Sequence, residues 1–232
     1  MNKDITVYTA IFGPGNYRVY TPSFKTPQAN YLCFTDKSNL DSNGFEVIRV
    51  KPAIPNDPDR SSKYLRMFPE KYLTTSYNIW FDAPMRLHCD VQKLIDTFLS
   101  EDKPMALYKN YELHSIREEA EYLMRNKNID KNLLAKQISK YRGDGFKDTV
   151  GLYKTGFMLR KTFDSSLMAF NQLWWKELLK YSVRIEMSFP YLAWKTNLTF
   201  NLLSPGTVYN SPYYDYIRRV QHEQLRIVGK TS

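Results

Sequence analysis

Four short apolar runs within the first 82 residues constrain the fold of this chain more than any other feature. Each run is rich in β-branched and aromatic residues and is followed by residues that favour turns or loops, which is typical of β-strands. The four predicted strands are Asp4–Phe12, Asn30–Thr35, Phe45–Val50 and Ser76–Asp82. A fifth is predicted at Pro104–Tyr108. Gly151–Arg160 is predicted to form a hairpin-like or bent strand pair around Gly156.

Helical patterns separate these strands and dominate the second half of the chain. Asp90–Leu99, for example, carries its apolar residues at helical spacing on one face. The predicted helices are Ser61–Tyr72 with an interruption at Pro69, Asp90–Leu99, Ile116–Asn126, Lys131–Arg142 followed by Gly143 as its C-terminal cap, a long helix capped by Asp164, and a last helix from Ser211 to about Val228. Lys51–Arg60 contains three prolines and is predicted to be a loop.

The order of these elements predicts an α/β fold with a mixed, mostly parallel sheet flanked by helices. The sequence contains no internal repeat, no low-complexity tract and no segment that resembles a linker. We therefore expect residues 1–232 to form a single domain, with 205–232 as a C-terminal helical extension.

The charge and cysteine content limit the environment and partners. The net charge is +9 with an isoelectric point near 9.3, which indicates either a solvated basic surface or an anionic partner such as nucleic acid or a phosphorylated substrate. Cys33 and Cys89 lie among apolar residues and form no CxxC motif, so free buried thiols in a reducing cytoplasm are expected. No apolar run is long enough to cross a membrane. The expected location is the cytoplasm, or the host cytoplasm if a phage encodes the chain.

Acidic residues follow two of the predicted strands. Asp36 comes after the second strand and Asp82 ends the fourth, while Thr9 lies within the first. Ligands of open α/β sheets bind outside the carboxyl ends of the strands. Asp82 could therefore coordinate Mg²⁺ or Mn²⁺ that holds a diphosphate. Each aspartate could equally cap a turn, and for a single acid this structural role is the more common one.

Several charged residues are candidates for a binding or catalytic site. Arg60, Lys63 and Arg66 share one helical face that could neutralise a diphosphate or simply be solvated. His114 stands near several carboxylates, which suits either an acid–base group or a residue at a helix start. Arg184 and Glu186 interrupt an apolar segment, so they are expected to be a partly buried pair with a functional or structural role.

The order of motifs resembles a known family. The motifs are, in chain order, VYTAIFG, YLCFTD, DPDRSSKYLRMFPEKYL, SYNIWFDAPMRL, HSIREEAEYL, GLYKTGFMLR, LWWKELLKYS and VRIEMSFPYLAWK. Together they resemble the glycosyltransferase-like domain known from plant turgor-regulation and seed-mucilage proteins, bacteria and phages. The resemblance extends from Ile5 to Trp194. It implies a GT-A-like, Rossmann-like fold that binds a nucleotide sugar.

The resemblance also implies roles for individual residues. Thr9 and Ala10 would lie near the nucleotide, Asp36 near the base or ribose, and Lys63 and Arg66, with Arg60 on the same face, near the diphosphate. Asp82 would hold the place of the first acid of a DxD metal motif. The sugar and acceptor side would be lined by His114, Arg117, Glu119, Gly156, Arg160, Arg184 and Glu186, of which Glu186, His114 and Arg184 are the candidate catalytic residues.

The chain departs from the family pattern at two of these motifs. The Asp82 motif reads Asp-Ala-Pro, so its second acid is missing, and the literal DxD at Asp57–Asp59 lies in the proline-rich segment. The family often has Arg-Asp-Gln where this chain has Arg184-Ile185-Glu186. Mn²⁺ or Mg²⁺ is expected to bind only if water and the diphosphate complete the site at Asp82.

The sequence therefore leads to two functional hypotheses. The first is a glycosyltransferase that moves a sugar from a nucleotide-sugar donor to a glycan or to a modified base of phage-type DNA. The second is a non-catalytic, basic nucleic-acid-binding protein on a decayed glycosyltransferase scaffold, which would use its basic surface and a helix at Tyr213–Arg219.

Overall fold

A seven-stranded sheet forms the centre of the computed structural model, which describes residues 4–15, 17–126, 129–181 and 184–217. The strands are β1 (Ile5–Ile11), β2 (Ala29–Thr35), β3 (Glu46–Arg49), β4 (Tyr77–Phe81), β5 (Met85–Leu87), β6 (Met105–Lys109), β7 (Tyr153–Lys161), β8 (Asn201–Leu202) and β9 (Tyr214–Tyr216). The helices are α1 (Pro58–Met67), α2 (Val91–Phe98), α3 (Ile116–Asn126), α4 (Lys131–Gly143), α5 (Ser165–Lys180) and α6 (Ile185–Thr196), with a short 3₁₀ turn at Pro69–Lys71.

The strand order of the large sheet is β3-β2-β1-β4-β7-β6-β8. The first four are mutually parallel, β7 runs antiparallel to both β4 and β6, and β8 is parallel to β6. The predicted α/β fold with a mixed, mostly parallel sheet is therefore confirmed. Strands β5 and β9 form a separate antiparallel pair.

Two apolar layers cover the two faces of the sheet, because successive side chains of a strand point to opposite faces. Tyr8 and Trp80 pack with buried residues of α1, α5 and α6 on one face. Val7 and Ile79 pack with α2 and the β5–β9 pair on the other. None of the described helices is long and apolar enough to cross a bilayer.

Aspartate caps set the starts of several helices. Asp164 accepts a hydrogen bond from the backbone N–H of Leu167, as predicted for the start of α5. Asp57 accepts one from Arg60 N, so α1 begins at Pro58, inside the segment that was predicted to be loop. That prediction was wrong at its end because proline is well tolerated in the first turn of a helix, where its missing N–H has no partner to lose.

Three further predictions fail, two of them where tertiary pairing decides the local structure and one at the end of a helix. Residues 153–161 form one continuous strand rather than a strand pair, because β4 pairs along them as far as Phe81 and Phe157. The predicted C-terminal helix is wrong over Tyr214–Tyr216, which pair with β5 instead; the rest of that prediction, residues 218–228, lies outside the described residues. Gly143 is the last residue of α4, and Asp144 is its cap.

Candidate active site

Asp82 follows β4 directly and is held by three groups. Its Oδ1 accepts hydrogen bonds from Arg66 Nη2 at 2.6 Å and from the indole N–H of Trp80 at 3.1 Å. Its backbone N–H donates to the carbonyl oxygen of Gly156 at 2.8 Å. The guanidinium of Arg66 also lies over the Trp80 ring, 4.6 Å from its centroid. The carboxylate therefore has a defined orientation at the carboxyl end of the parallel strands.

Arg66 connects Asp82 to a second carboxylate. Its side chain is only 10% exposed, and Nη1 donates to Thr155 Oγ1 at 3.1 Å. Thr155 Oγ1 donates in turn to Glu186 Oε1 at 3.0 Å. This chain of contacts joins α1, β4, β7 and α6 in one polar network, so a change at one member alters the position of the others.

Glu186 lies in the first turn of α6 beside Arg184. Arg184 Nη2 bonds to the buried carboxylate of Glu119 at 2.9 Å, and its Nε is 4.0 Å from Glu186 Oε2. Burial raises the pKa of Glu186, but the charges of Arg184 and Arg66 outweigh it and hold that pKa below its usual value. The positive end of the helix favours the same charge state. Glu186 is therefore an ionised carboxylate at neutral pH.

A bulge in β7 brings Thr155 and Gly156 into this network. Pairing with β6 changes register between Leu107 and Tyr108, whose partners are Met158 and Lys154, so residues 155–157 have no partner on β6. Asp82 approaches Gly156 so closely that a Cβ built at 156 would lie 2.7 Å from Asp82 Oδ2. Glycine is required here by the contact and not by a left-handed backbone.

Two cavities meet at Asp82. The larger has a volume of about 400 Å³, lies at the ends of β1 and β4, and is mostly apolar. Its lining includes Thr9, Ala10, Phe12, Tyr17, Pro58, Trp80 and Pro84. The smaller has a volume of about 180 Å³ and is mostly polar. Its lining includes Asn110, Glu119, Lys154, Thr155, Gly156, Arg184, Glu186, Tyr209 and Tyr216. The apolar cavity and the polar cavity thus share Asp82 in their lining.

Many of the residues predicted from the sequence come together around these cavities. Thr9 and Ala10 line the larger cavity, and Glu119, Gly156, Arg184 and Glu186 line the smaller one. Arg66 lies behind Asp82 and bridges the network. Asp36 lines neither cavity: its carboxylate accepts a hydrogen bond from Gly13 N at 3.1 Å and so holds the turn after β1.

The basic face predicted on α1 is divided between two environments. Arg60 pairs with Asp57 at 2.6 Å, and Lys63 pairs with Asp59, so both acids of the literal DxD sequence are paired with cations of α1, and Asp59 also lines the larger cavity. Burial lowers the pKa of Lys63, and the nearby Asp59 opposes that effect. Only Arg66 turns inward to the Asp82 carboxylate.

Three other predicted residues lie away from the two cavities. Arg160 is fully buried, and its guanidinium donates to Asn78 Oδ1, the carbonyl oxygen of Arg66 and Tyr8 Oη. His114 is exposed at the start of α3, where its backbone N–H donates to Glu118. Arg117 is 78% exposed and pairs with Glu121. The structure therefore gives Arg160 a place in the core, and His114 and Arg117 places on the outer side of α3.

Sequence reasoning missed several residues of the site. Trp80 could have been found, because side chains two apart in a strand share a face, and Trp80 precedes Asp82 by two. The sequence patterns did not identify Asn110, Lys154 and Thr155, because the β7 bulge decides which residues face the smaller cavity. Tyr216 reaches the smaller cavity only through the pairing of β9 with β5.

The donor atoms around Asp82 do not fit a divalent metal ion. Oδ1 is already shared by a guanidinium and an indole, and Pro84 stands where a second acid would be expected. Within the described ranges, no three acidic, histidine or cysteine side chains form a group that could hold a metal. Oxygen-binding metals need several such ligands or bound waters. We therefore assign no chemical step to a metal ion.

The fold is that of a GT-A-like, glycosyltransferase-like domain. A family model described as "TOD1/MUCI70, glycosyltransferase-like domain" matches residues 26–208, and the chain belongs to this family. The resemblance seen in the sequence motifs is therefore confirmed. No curated protein matches the sequence.

Two solved structures support the fold. Mouse xyloside xylosyltransferase 1 in its apo form is 9% identical with a TM-score of 0.51, over 88% of this chain and 86% of that chain. The glycosyltransferase GlyE of Streptococcus pneumoniae TIGR4 is 12% identical with a TM-score of 0.51, over 88% of this chain and 46% of that chain. At such low identity these similarities concern the architecture alone.

Proposed function

We propose that this protein is a nucleotide-sugar-dependent glycosyltransferase that transfers a sugar to a hydroxyl group. The observation that carries the proposal is the meeting of an apolar cavity and a polar cavity at Asp82, at the carboxyl ends of β1 and β4. Ligands of open α/β sheets bind at this edge. A nucleotide sugar has a flat base at one end and a ring of hydroxyls at the other, and the two cavities match this division.

The larger cavity suits the nucleoside part of the donor. Tyr17, which is 54% exposed, supplies an aromatic ring on which a base can stack, and the buried Phe12 and Trp80 add apolar lining.

The smaller cavity suits the transferred sugar and the acceptor. Its carboxylates, its amide and its two tyrosines offer many hydrogen-bonding atoms to hydroxyl groups. In the proposed reaction the acceptor oxygen bonds to the anomeric carbon, the bond from that carbon to the diphosphate oxygen breaks, and the proton of the acceptor hydroxyl passes to an oxygen of the departing diphosphate. Lys154 and Arg184 line this cavity and are the cations placed to stabilise charge on the departing phosphate.

Glu186 is the proposed catalytic carboxylate because it lines the polar cavity and is held in place by Thr155. Its lowered pKa makes it a weak base, since efficient general bases have a pKa near the working pH. Its suitable role is to orient the acceptor hydroxyl and to stabilise positive charge that develops on the sugar ring. His114, the other residue considered for this role, lies outside the cavity.

Binding is tested by a thermal-shift screen of the full chain against nucleoside diphosphates and their sugars. A ligand that binds the folded state raises the melting temperature, and a concentration of about 100 Kd stabilises by about 2.7 kcal/mol. Stabilisation by at least one nucleotide is expected. No shift with any nucleotide, together with salt-sensitive DNA binding, would instead support the non-catalytic nucleic-acid-binding protein.

The acceptor is tested with the stabilising nucleotide sugar and two kinds of hydroxyl. One arm contains oligosaccharides, and the other contains duplex DNA whose bases carry a hydroxyl group. The net charge of +9 supports the DNA arm because it favours a polyanionic acceptor. A mass increase of one sugar on digested nucleosides identifies a DNA acceptor, whereas an extended oligosaccharide identifies a glycan acceptor.

A further inference from the structure

We propose that Arg66 occupies, as a built-in cation, the position that a divalent metal ion takes beside the aspartate of a DxD-type site. The protein then binds its nucleotide ligand without a metal. The nucleotide part of this proposal rests on the proposed function. The competition between Arg66 and a metal ion for Asp82 rests on the geometry alone.

The guanidinium of Arg66 is fixed at the Asp82 carboxylate. Nη2 lies 2.6 Å from Asp82 Oδ1, Nη1 lies 3.1 Å from Thr155 Oγ1, and the Trp80 ring covers one face. A planar guanidinium bound on several sides loses little rotational freedom on pairing, because its donors are pre-organised. The side chain is 10% exposed, so it does not swing freely into solvent.

A metal ion at Asp82 would have to displace this arginine or bind beside it. Displacement would leave the guanidinium of Arg66, whose side chain is only 10% exposed, without its carboxylate, which is unfavourable because a buried charge needs a partner. Binding beside it would place a divalent cation next to a fixed positive charge in a partly desolvated site, where like charges repel strongly. Neither route is compensated by the second acid of a DxD motif, because residue 84 is proline.

The other oxygen of Asp82 is also confined. A Cβ built at residue 156 would lie only 2.7 Å from Oδ2, so this oxygen faces Gly156 of β7. One side of this oxygen is therefore closed by protein. The closed side reduces the room for the water molecules that complete the shell of Mg²⁺ or Mn²⁺.

The experiment measures Mn²⁺ binding directly. The electron paramagnetic resonance signal of free Mn²⁺ is followed while the full chain is titrated, and three variants are compared with it. Asp82→Asn removes the carboxylate, Arg66→Met removes the competing cation, and Arg125→Met removes an exposed arginine of α3 as a matched control. In parallel, the nucleotide thermal shift is recorded with Mn²⁺ and with a chelator.

We expect no stoichiometric Mn²⁺ binding by the wild type or by Arg125→Met, and the same nucleotide shift in chelator as in Mn²⁺. Arg66→Met leaves Asp82 and Glu186 without their shared cation and is expected to bind Mn²⁺ about tenfold or more tightly than the wild type, since a removed neighbouring charge readily changes cation affinity by such a factor. One Mn²⁺ per wild-type chain that is lost in Asp82→Asn would overturn the proposal. This wild-type comparison decides the question even if Arg66→Met does not fold.

The two proposals fail in different ways. A nucleotide shift that appears only with Mn²⁺ overturns the role of Arg66 and leaves the glycosyltransferase proposal intact. Absence of a nucleotide shift in every condition, with no Mn²⁺ bound by the wild type, overturns the proposed function and supports the competition of Arg66 with metal at Asp82.

Discussion

Asp82 and Gly156 are in contact through both backbone and side chain. The Asp82 N–H donates to the Gly156 carbonyl oxygen at 2.8 Å, and Asp82 Oδ2 occupies the space that a Cβ at residue 156 would require. The absence of a side chain on β7 is thus what allows the β4 carboxylate to lie between the two cavities. The β7 bulge places Gly156 beside Asp82. The site therefore depends on the register in which β7 pairs with β4 and with β6.

Gly156→Ala is expected to displace the Asp82 carboxylate and to reduce sugar transfer by about tenfold or more, since misplacement of a site group by about 1 Å can cost more than that. The added methyl is also expected to destabilise the protein by about 1–3 kcal/mol. Transfer rates and urea unfolding are the measurements.

Gly143→Ala is the matched control for that substitution. A Cβ at Gly143 meets no atom within 4 Å, and the residue ends α4. Alanine is preferred over glycine in helices by about 0.5–1 kcal/mol, so this variant is expected to be as stable as the wild type or slightly more stable. Equal losses of activity in both alanine variants would contradict a specific role for the contact of Gly156 with Asp82.

Arg160→Met is expected to lower the free energy of unfolding by about 2–4 kcal/mol, because Asn78 and two buried oxygens lose a charged donor. The donated bonds measure 2.6 Å to Tyr8 Oη, 2.6 Å to the Arg66 carbonyl and 3.1 Å to Asn78 Oδ1. The exposed Arg125→Met is expected to change stability by no more than about 0.5 kcal/mol. Unchanged stability of Arg160→Met with loss of nucleotide binding would show instead that Arg160 contacts the substrate.

Glu186→Gln is expected to be less stable than the wild type at neutral pH by about 1–3 kcal/mol, because Arg184 and Arg66 lose a shared charged partner. The folded-state pKa of Glu186 is below its usual value of 4.5. The ionised form therefore contributes stability that is present above the unfolded-state pKa and is lost as the pH falls through the folded-state pKa.

The difference in the free energy of unfolding between the wild type and Glu186→Gln is expected to be constant near neutral pH and to shrink as the pH falls below about 4. Urea unfolding at a series of pH values measures it. A difference that grows on acidification would contradict an ionised, paired Glu186. At neutral pH the variant is also expected to transfer sugar more slowly, because a neutral amide does not stabilise positive charge on the ring.

Both cysteines are expected to be unreactive in the folded protein. Cys33 is buried as predicted, whereas Cys89 is only half-buried, yet desolvation raises the pKa of both thiols to about 12. At about pH 8 the reactive thiolate is then on the order of one part in ten thousand. Titration with a disulfide reagent should release two equivalents in denaturant and almost none without it. Rapid reaction of either thiol in the native protein would contradict the prediction.

Much of the fold follows from local patterns. The strands Ile5–Ile11 and Tyr77–Phe81 and the helix Ile116–Asn126 form where apolar and β-branched residues predict them. Asp164 caps α5 as expected, because a short acceptor at that position bonds the free N–H groups of the first turn. These features depend on neighbours a few residues apart, and such neighbours are visible in a sequence.

The candidate site was only partly predictable for the same reason. Asp82, Arg184 and Glu186 were recognised as charged residues next to apolar segments, and Glu119 through the family resemblance. All four line the smaller cavity. Arg160 occurs in an equally apolar segment, yet it lies in the core. A sequence shows that a charge must find a partner when it is buried, but it does not show whether that partner is a ligand or another part of the chain.

The sequence by itself therefore determined the class of fold, the strand that ends at Asp82, and the family. Tertiary structure alone decided that Arg66 rather than Lys63 reaches Asp82, that a bulge brings Gly156 against it, and that Tyr216 belongs to a strand. The physical reason is separation along the chain. Strand elements are set by residues two apart and helices by residues three or four apart. The contacts of this site join residues that are far apart in the chain, such as Arg66 and Thr155, which are separated by 89 positions.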